Sequence, residues 1–95
     1  VLNGVADRLD IRLTDDPASL GETRYPLVLA NIISGILRRL KPSLIARVAT
    51  GGTLIVSGIL AEERDAFVAD FSDPRLTLQS ELVQGDWLVL TWIRH

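Results

Sequence analysis

The chain has 95 residues, 47% of them hydrophobic and 23% charged, with a formal net charge of -2 and no cysteine. That is one small domain or part of one, able to bury roughly 60 to 65% of its unfolded surface without staples. It lacks the excess of Lys and Arg that phosphate-backbone binding requires, the thiols of disulfides and thiolate metal sites, and any apolar run near the ~18 residues that span a bilayer. A soluble, cytoplasmic protein without nucleic-acid or membrane partners is the expectation. No secretory leader precedes the first predicted strand, and the opening Val1-Leu2-Asn3-Gly4-Val5, without an initiator methionine, reads as cut from a longer protein.

Leu9 to Leu13 alternates apolar and charged residues, which predicts a short strand with one wetter face. Thr14-Asp15-Asp16-Pro17 carries turn chemistry, and the stretch to Pro26 is polar. Leu27-Val28-Leu29-Ala30 is an unbroken apolar run, as a strand buried on both faces needs, and it delivers Asn31 into a helix start. Ile33, Leu37, Leu40, Leu44 and Val48 fall on one helical face. Pro42 is expected to kink this helix or split it in two, with Pro42 near the first position of the second piece. Gly51-Gly52 are expected to stop it. Thr53 to Ile59 then reads as a second apolar strand, completing a right-handed parallel crossover.

The last third changes character. Ala61-Glu62-Glu63 opens a short helix with acids in its first turn, Phe67, Val68 and Phe71 on its apolar side and Asp73-Pro74 at its end. Arg75 to Val83 and Trp87 to Ile93 are predicted strands joined by Gln84-Gly85-Asp86, an antiparallel hairpin at the edge of a parallel sheet.

Asn31 is the leading candidate for function. An amide at the carboxyl end of a buried strand lies where open α/β sheets keep their ligands. The same amide suits a helix cap, which leaves both readings open. Arg38, Arg39, Lys41 and Arg47 lie opposite the apolar stripe and read as a solvated helix face. His95, at the terminus without partners to orient it, is given no catalytic role. Trp87 and Trp92, an odd number of positions apart on one strand, should point to opposite faces in core or interface packing.

Ala30-Asn31-Ile32, then Thr50-Gly51-Gly52-Thr53-Leu54-Ile55-Val56-Ser57-Gly58-Ile59-Leu60, then Gly85-Asp86-Trp87-Leu88 resemble the ribosomal protein L11 methyltransferases, class I enzymes that use S-adenosylmethionine. Leu2-Asn3-Gly4-Val5 fits the stretch between that family's second and third strands. The family usually has Lys-Pro-Gly-Gly at Ala49-Thr50-Gly51-Gly52 and Gly-Glu-Trp at Gly85-Asp86-Trp87, both mild departures. The resemblance implies an α/β fold, part of a Rossmann-like class I sheet, with residues 1–95 as the carboxyl-terminal part of the catalytic domain. The glycine-rich cofactor loop and the amino-terminal substrate domain are not among these residues, so the chain alone should be inactive.

The resemblance further implies a ribosomal protein substrate, methylated on lysine side chains and its amino terminus, with Asn31 and Ile32 beside the methyl group. Methyl transfer from a sulfonium needs a neutral amine held in line, and a side-chain carbonyl beside a backbone carbonyl can hold it without a strong base. Asp15 matches the acid that contacts the cofactor's adenine amino group, although Asp15-Asp16-Pro17 is equally an ordinary turn. In the family's topology both helices cover one side of the sheet, which leaves the other side bare for a homodimer. The reading from another class is a self-standing α/β interaction module.

Overall fold

The computed structural model of the chain describes residues 3–5, 8–11 and 23–95. Their order is β1 (Asn3–Val5), β2 (Arg8–Ile11), β3 (Tyr25–Asn31), α1 (Ser34–Arg47), β4 (Val48–Leu60), a 3-10 turn (Ala61–Glu63), α2 (Arg64–Phe71), β5 (Leu76–Gln84) and β6 (Trp87–Arg94). The strands form one mixed sheet in the order β1-β2-β3-β4-β6-β5. β2, β3 and β4 run parallel, while β1 joins one edge antiparallel and β6 pairs antiparallel with both β4 and β5. The predicted α/β arrangement with a terminal hairpin is therefore present, and the hairpin's second strand lies inside its first.

The register sorts side chains into two faces. Leu9, Val28, Leu54 and Trp92 are aligned across β2, β3, β4 and β6, and Ile11, Ala30, Val56 and Leu90 form the next row. All eight are buried. Leu37, Leu44 and Ile45 of α1 and Phe67 and Phe71 of α2 belong to the same core. Phe67 stacks on Phe71 with ring centroids 5.1 Å apart, and Phe71 leans on Trp92 at 5.7 Å. Trp87 is exposed while Trp92 is buried, so the two tryptophans do point to opposite faces. The second face carries Leu27, Leu29, Thr53, Ile55, Val89, Thr91 and Ile93, all half-buried and uncovered by helix among the described residues.

Three local expectations are corrected. Pro42 lies inside a single 14-residue helix and does not split it. Its ring faces solvent, and the ~3 kcal/mol that an interior proline costs is offset by burying Leu37, Leu44 and Ile45 at ~1.5–3 kcal/mol each. Gly51-Gly52 do not stop that helix, which ends at Arg47. They lie within the 13-residue β4, where Gly51 takes a φ of 82° and the register with β3 shifts. A Cβ on Gly52 would stand 2.7 Å from the Ala49 carbonyl oxygen, so the bend requires glycine.

The basic residues of α1 are the third correction. Only Arg39 is fully solvent-exposed, because α2 packs along that flank. Arg38 lies over the Phe67 ring and 3.2 Å from the Asp70 carboxylate. Lys41 donates to the backbone carbonyls of Asp70 and Ser72. Arg47 is buried at the helix end. Arg94 donates to the Ile45 and Val48 carbonyls at 2.8 Å, where a cation meets the negative end of the helix dipole. Burial lowers the Arg94 pKa, while hydrogen bonds from Arg75 hold Asp73 well below the usual carboxylate range. Arg47, Arg75 and Arg94 lie at the end of the sheet where β4 begins and β6 ends, and the other end holds the candidate site.

Candidate functional site

Asn31 is the last residue of β3 and is paired with Ser57 of β4, so the carboxyl ends of two parallel strands meet there. In the alternation of each strand, Asn31 follows buried Ala30 and Ser57 follows buried Val56. Both side chains therefore belong to the helix-free face. Beyond them Ile32 donates its backbone N–H to the Ser57 carbonyl at 3.2 Å. A groove of about 580 Å³ opens at this point, lined by Asn31, Ile32, Ile33, Ser57, Gly58, Gln84, Trp87 and Val89.

The capping alternative for Asn31 is not realised. α1 starts at Ser34 with Ile33 in the N-cap position and no side-chain cap hydrogen bond. Ile32, the second predicted residue, has its side chain in the core at 3% exposure, so what it presents to the groove is backbone. Asp15 and Asp16 lie outside the described residues. His95 is exposed and engages Arg75 only through its backbone N–H. Among the described residues no group of three His, Cys, Asp or Glu side chains is placed to hold a metal ion, and no helix is long and apolar enough to cross a membrane.

Ser57, Gly58, Gln84 and Val89 were not singled out as site residues by the sequence. Ser57 was legible in principle, as the residue that register places beside Asn31. Gly58 was not, because its requirement is tertiary. It takes a φ of 88° and lies so close to Ile32 that a Cβ would be 2.7 Å from the Ile32 carbonyl oxygen and 3.0 Å from its carbonyl carbon. The glycine lets the end of β4 bulge and the backbone after β3 drop against it. Gly51 also has a positive φ but has open space where a Cβ would go.

We therefore expect Gly58→Ala to destabilise the full-length protein by on the order of 2 kcal/mol, while Gly51→Ala costs about 1 kcal/mol. Paired urea titrations decide it, and equal costs would sink the close-approach argument. Activity should fall with Gly58→Ala, because the displaced backbone is that of Ile32.

The arrangement is a largely apolar groove that carries two side-chain amides, Asn31 and Gln84, and an exposed tryptophan, Trp87. It suits an uncharged polar group that needs hydrogen-bond acceptors beside apolar walls. The family model described as ribosomal protein L11 methyltransferase (PrmA) matches residues 1–95. The chain belongs to the ribosomal protein L11 methyltransferase family. The relative from Trichlorobacter lovleyi is 42% identical over 94 residues, covering 98% of this chain and 30% of that protein. The relative from Geobacter sulfurreducens is 41% identical over 92 residues, covering 96% and 29%. This chain thus spans about 30% of the length of the L11 methyltransferases it matches.

Solved structures agree on the fold. The ribosomal protein L11 methylase of Lactobacillus delbrueckii subsp. bulgaricus superposes with a TM-score of 0.74 at 22% identity, over 84% of this chain and 42% of that one. A fibrillarin pre-rRNA processing protein from Methanococcus jannaschii superposes with a TM-score of 0.66 at 10% identity, over 82% and 41%. The fold of this chain is thus that of part of a Rossmann-like sheet.

Proposed function

We propose that residues 1–95 are the carboxyl-terminal part of the catalytic domain of a protein N-methyltransferase that works in the cytoplasm. Its acceptors are lysine side chains and the amino terminus of a large-subunit ribosomal protein. The observation that carries the reading is the position of Asn31, on the carboxyl end of β3 beside Ser57, lining the groove and not serving as a helix cap. Family membership and the relatives' names support the substrate class.

S-adenosylmethionine, the donor implied by the family, supplies an electrophilic methyl group on sulfur. The groove fits one end of such a donor: its walls are apolar at Ile33, Trp87 and Val89, and among the described residues its amide side chains are Asn31 and Gln84. The Asn31 carbonyl oxygen accepts an N–H from the incoming amine, and a backbone carbonyl beside it accepts a second. That leaves the nitrogen lone pair aimed across the groove, so the residues act by orientation rather than as bases. Trp87 offers apolar ring surface to the carbon chain that carries the amine, and the amine docks neutral, its proton already given up to bulk water. Asp15 would hold the adenine amino group of the donor.

The remaining cofactor contacts lie outside these residues, so this chain alone should neither bind the donor nor transfer a methyl group. Calorimetric titration of S-adenosylmethionine into this chain and into the full-length protein tests the division. Binding by the full-length protein alone, together with transfer of labelled methyl to a ribosomal protein, is the expected result. Binding by this chain alone would show that the domain assignment is wrong.

A further inference from the structure

We propose that Glu63 is a positioning residue that holds the floor of the groove. Its carboxylate ties the first turn of α1 to the end of β4. The Ser34 hydroxyl lies 3.2 Å from its Oε1 and 3.1 Å from its Oε2, across 29 residues of sequence, and donates to that carboxylate. The Leu60 backbone N–H donates to Oε1 at 3.4 Å. This is half of a capping box, since leucine has no side-chain acceptor to return the contact.

The need for it arises from what α1 lacks. The helix has no acid in its first turn, and its N-cap residue is an isoleucine that makes no side-chain cap. The positive end of the helix dipole is therefore uncompensated by local sequence. Glu63, delivered by the turn that follows β4, brings the missing hydrogen-bond acceptor from a distant part of the chain.

The consequence reaches Asn31. The segment from Asn31 to Ser34 has few anchors: the buried Ile32 side chain, the Ile32 N–H bond to Ser57, and Ser34 on Glu63. Ile33 is 58% exposed and packs too little to hold the backbone. Glu63 thus closes the free end of the segment whose other end carries Asn31. It is not part of the groove lining and acts through the backbone.

The kinetic arm of the test rests on the proposed methyltransferase reading, and the structural arm does not. In the full-length protein, Glu63→Ala should lower kcat about 10-fold, with KM for the cofactor within about 2-fold of wild type. Glu63→Gln should restore kcat, because one amide oxygen can accept from both Ser34 and Leu60.

Hydrogen exchange of the Ile36 and Leu37 amides, which bond to the Ile33 carbonyl, should quicken in Glu63→Ala and not in Glu63→Gln, with β6 amides unchanged. Unaltered exchange at Ile36 and Leu37 in Glu63→Ala overturns the proposal. So does a uniform loss of protection across the domain, or a Gln variant as impaired as the Ala variant. Wild-type protein that transfers no methyl group would defeat the proposed function, and the exchange measurements would still decide the role of Glu63.

Discussion

Replacing Asn31 by alanine in the full-length protein is expected to lower kcat about 100-fold or more while leaving the unfolding midpoint nearly unchanged. The two halves of this result have separate causes. Asn31 is exposed and caps no helix, so its removal forfeits neither packing nor the ~1 kcal/mol that a true cap supplies. Its proposed work is to fix the lone pair of an amine in line with a methyl group, and a 1 Å error in such placement costs on the order of 100-fold.

Asn31→Asp sharpens the test, because aspartate keeps the acceptor oxygen and adds charge. A carboxylate beside an amine favours the ammonium form, which has no lone pair to attack with. The Asp variant should therefore keep its affinity for the protein substrate, lose most of its rate at neutral pH and recover part of it as pH rises. Steady-state kinetics with labelled methyl donor reads all three quantities. An alanine variant with wild-type kcat would remove Asn31 from the mechanism, and one that unfolds would return it to a structural role.

Asn31 was legible because its signal is local. An apolar run fixes the strand, the strand fixes the direction, and the residue at its carboxyl end is placed without knowing what lies beside it. The same holds for the parallel crossover and for the hairpin, whose Gly85 takes a φ of 61° as the first central residue of a type II′ turn. The misread features depend on contacts between distant segments. Gly51-Gly52 look like a helix stop until β3 is found alongside them, with the Pro26 carbonyl oxygen 3.0 Å from a Cβ on Gly52. Arg38 and Lys41 look like a solvated face until Asp70 of α2 meets the first with its carboxylate and the second with its backbone carbonyl. The groove itself needs Trp87 and Val89, which β6 brings to β4 from the end of the chain. No period in the sequence reports that neighbourhood.

The helix-free face leads to the second large effect. Leu27 and Leu29 of β3, Ile55 of β4, and Val89 and Ile93 of β6 place five apolar side chains on one side of the sheet. Both described helices lie on the other side. An apolar patch of this kind on an isolated domain marks a surface that is normally covered. We propose that the 95-residue chain on its own covers it with a second copy, the two sheets packing face to face.

Sedimentation should then show a dimer at micromolar concentration. Ile55→Lys, which puts a charge at the centre of the patch, should weaken association about 100-fold, or ~2.7 kcal/mol. The substitution leaves the buried row of Val28, Leu54 and Trp92 untouched, so the variant should keep its far-ultraviolet dichroism and simply become a monomer. A wild-type chain that is monodisperse and monomeric would sink this proposal. It would also favour the rival view of these residues as a self-standing module.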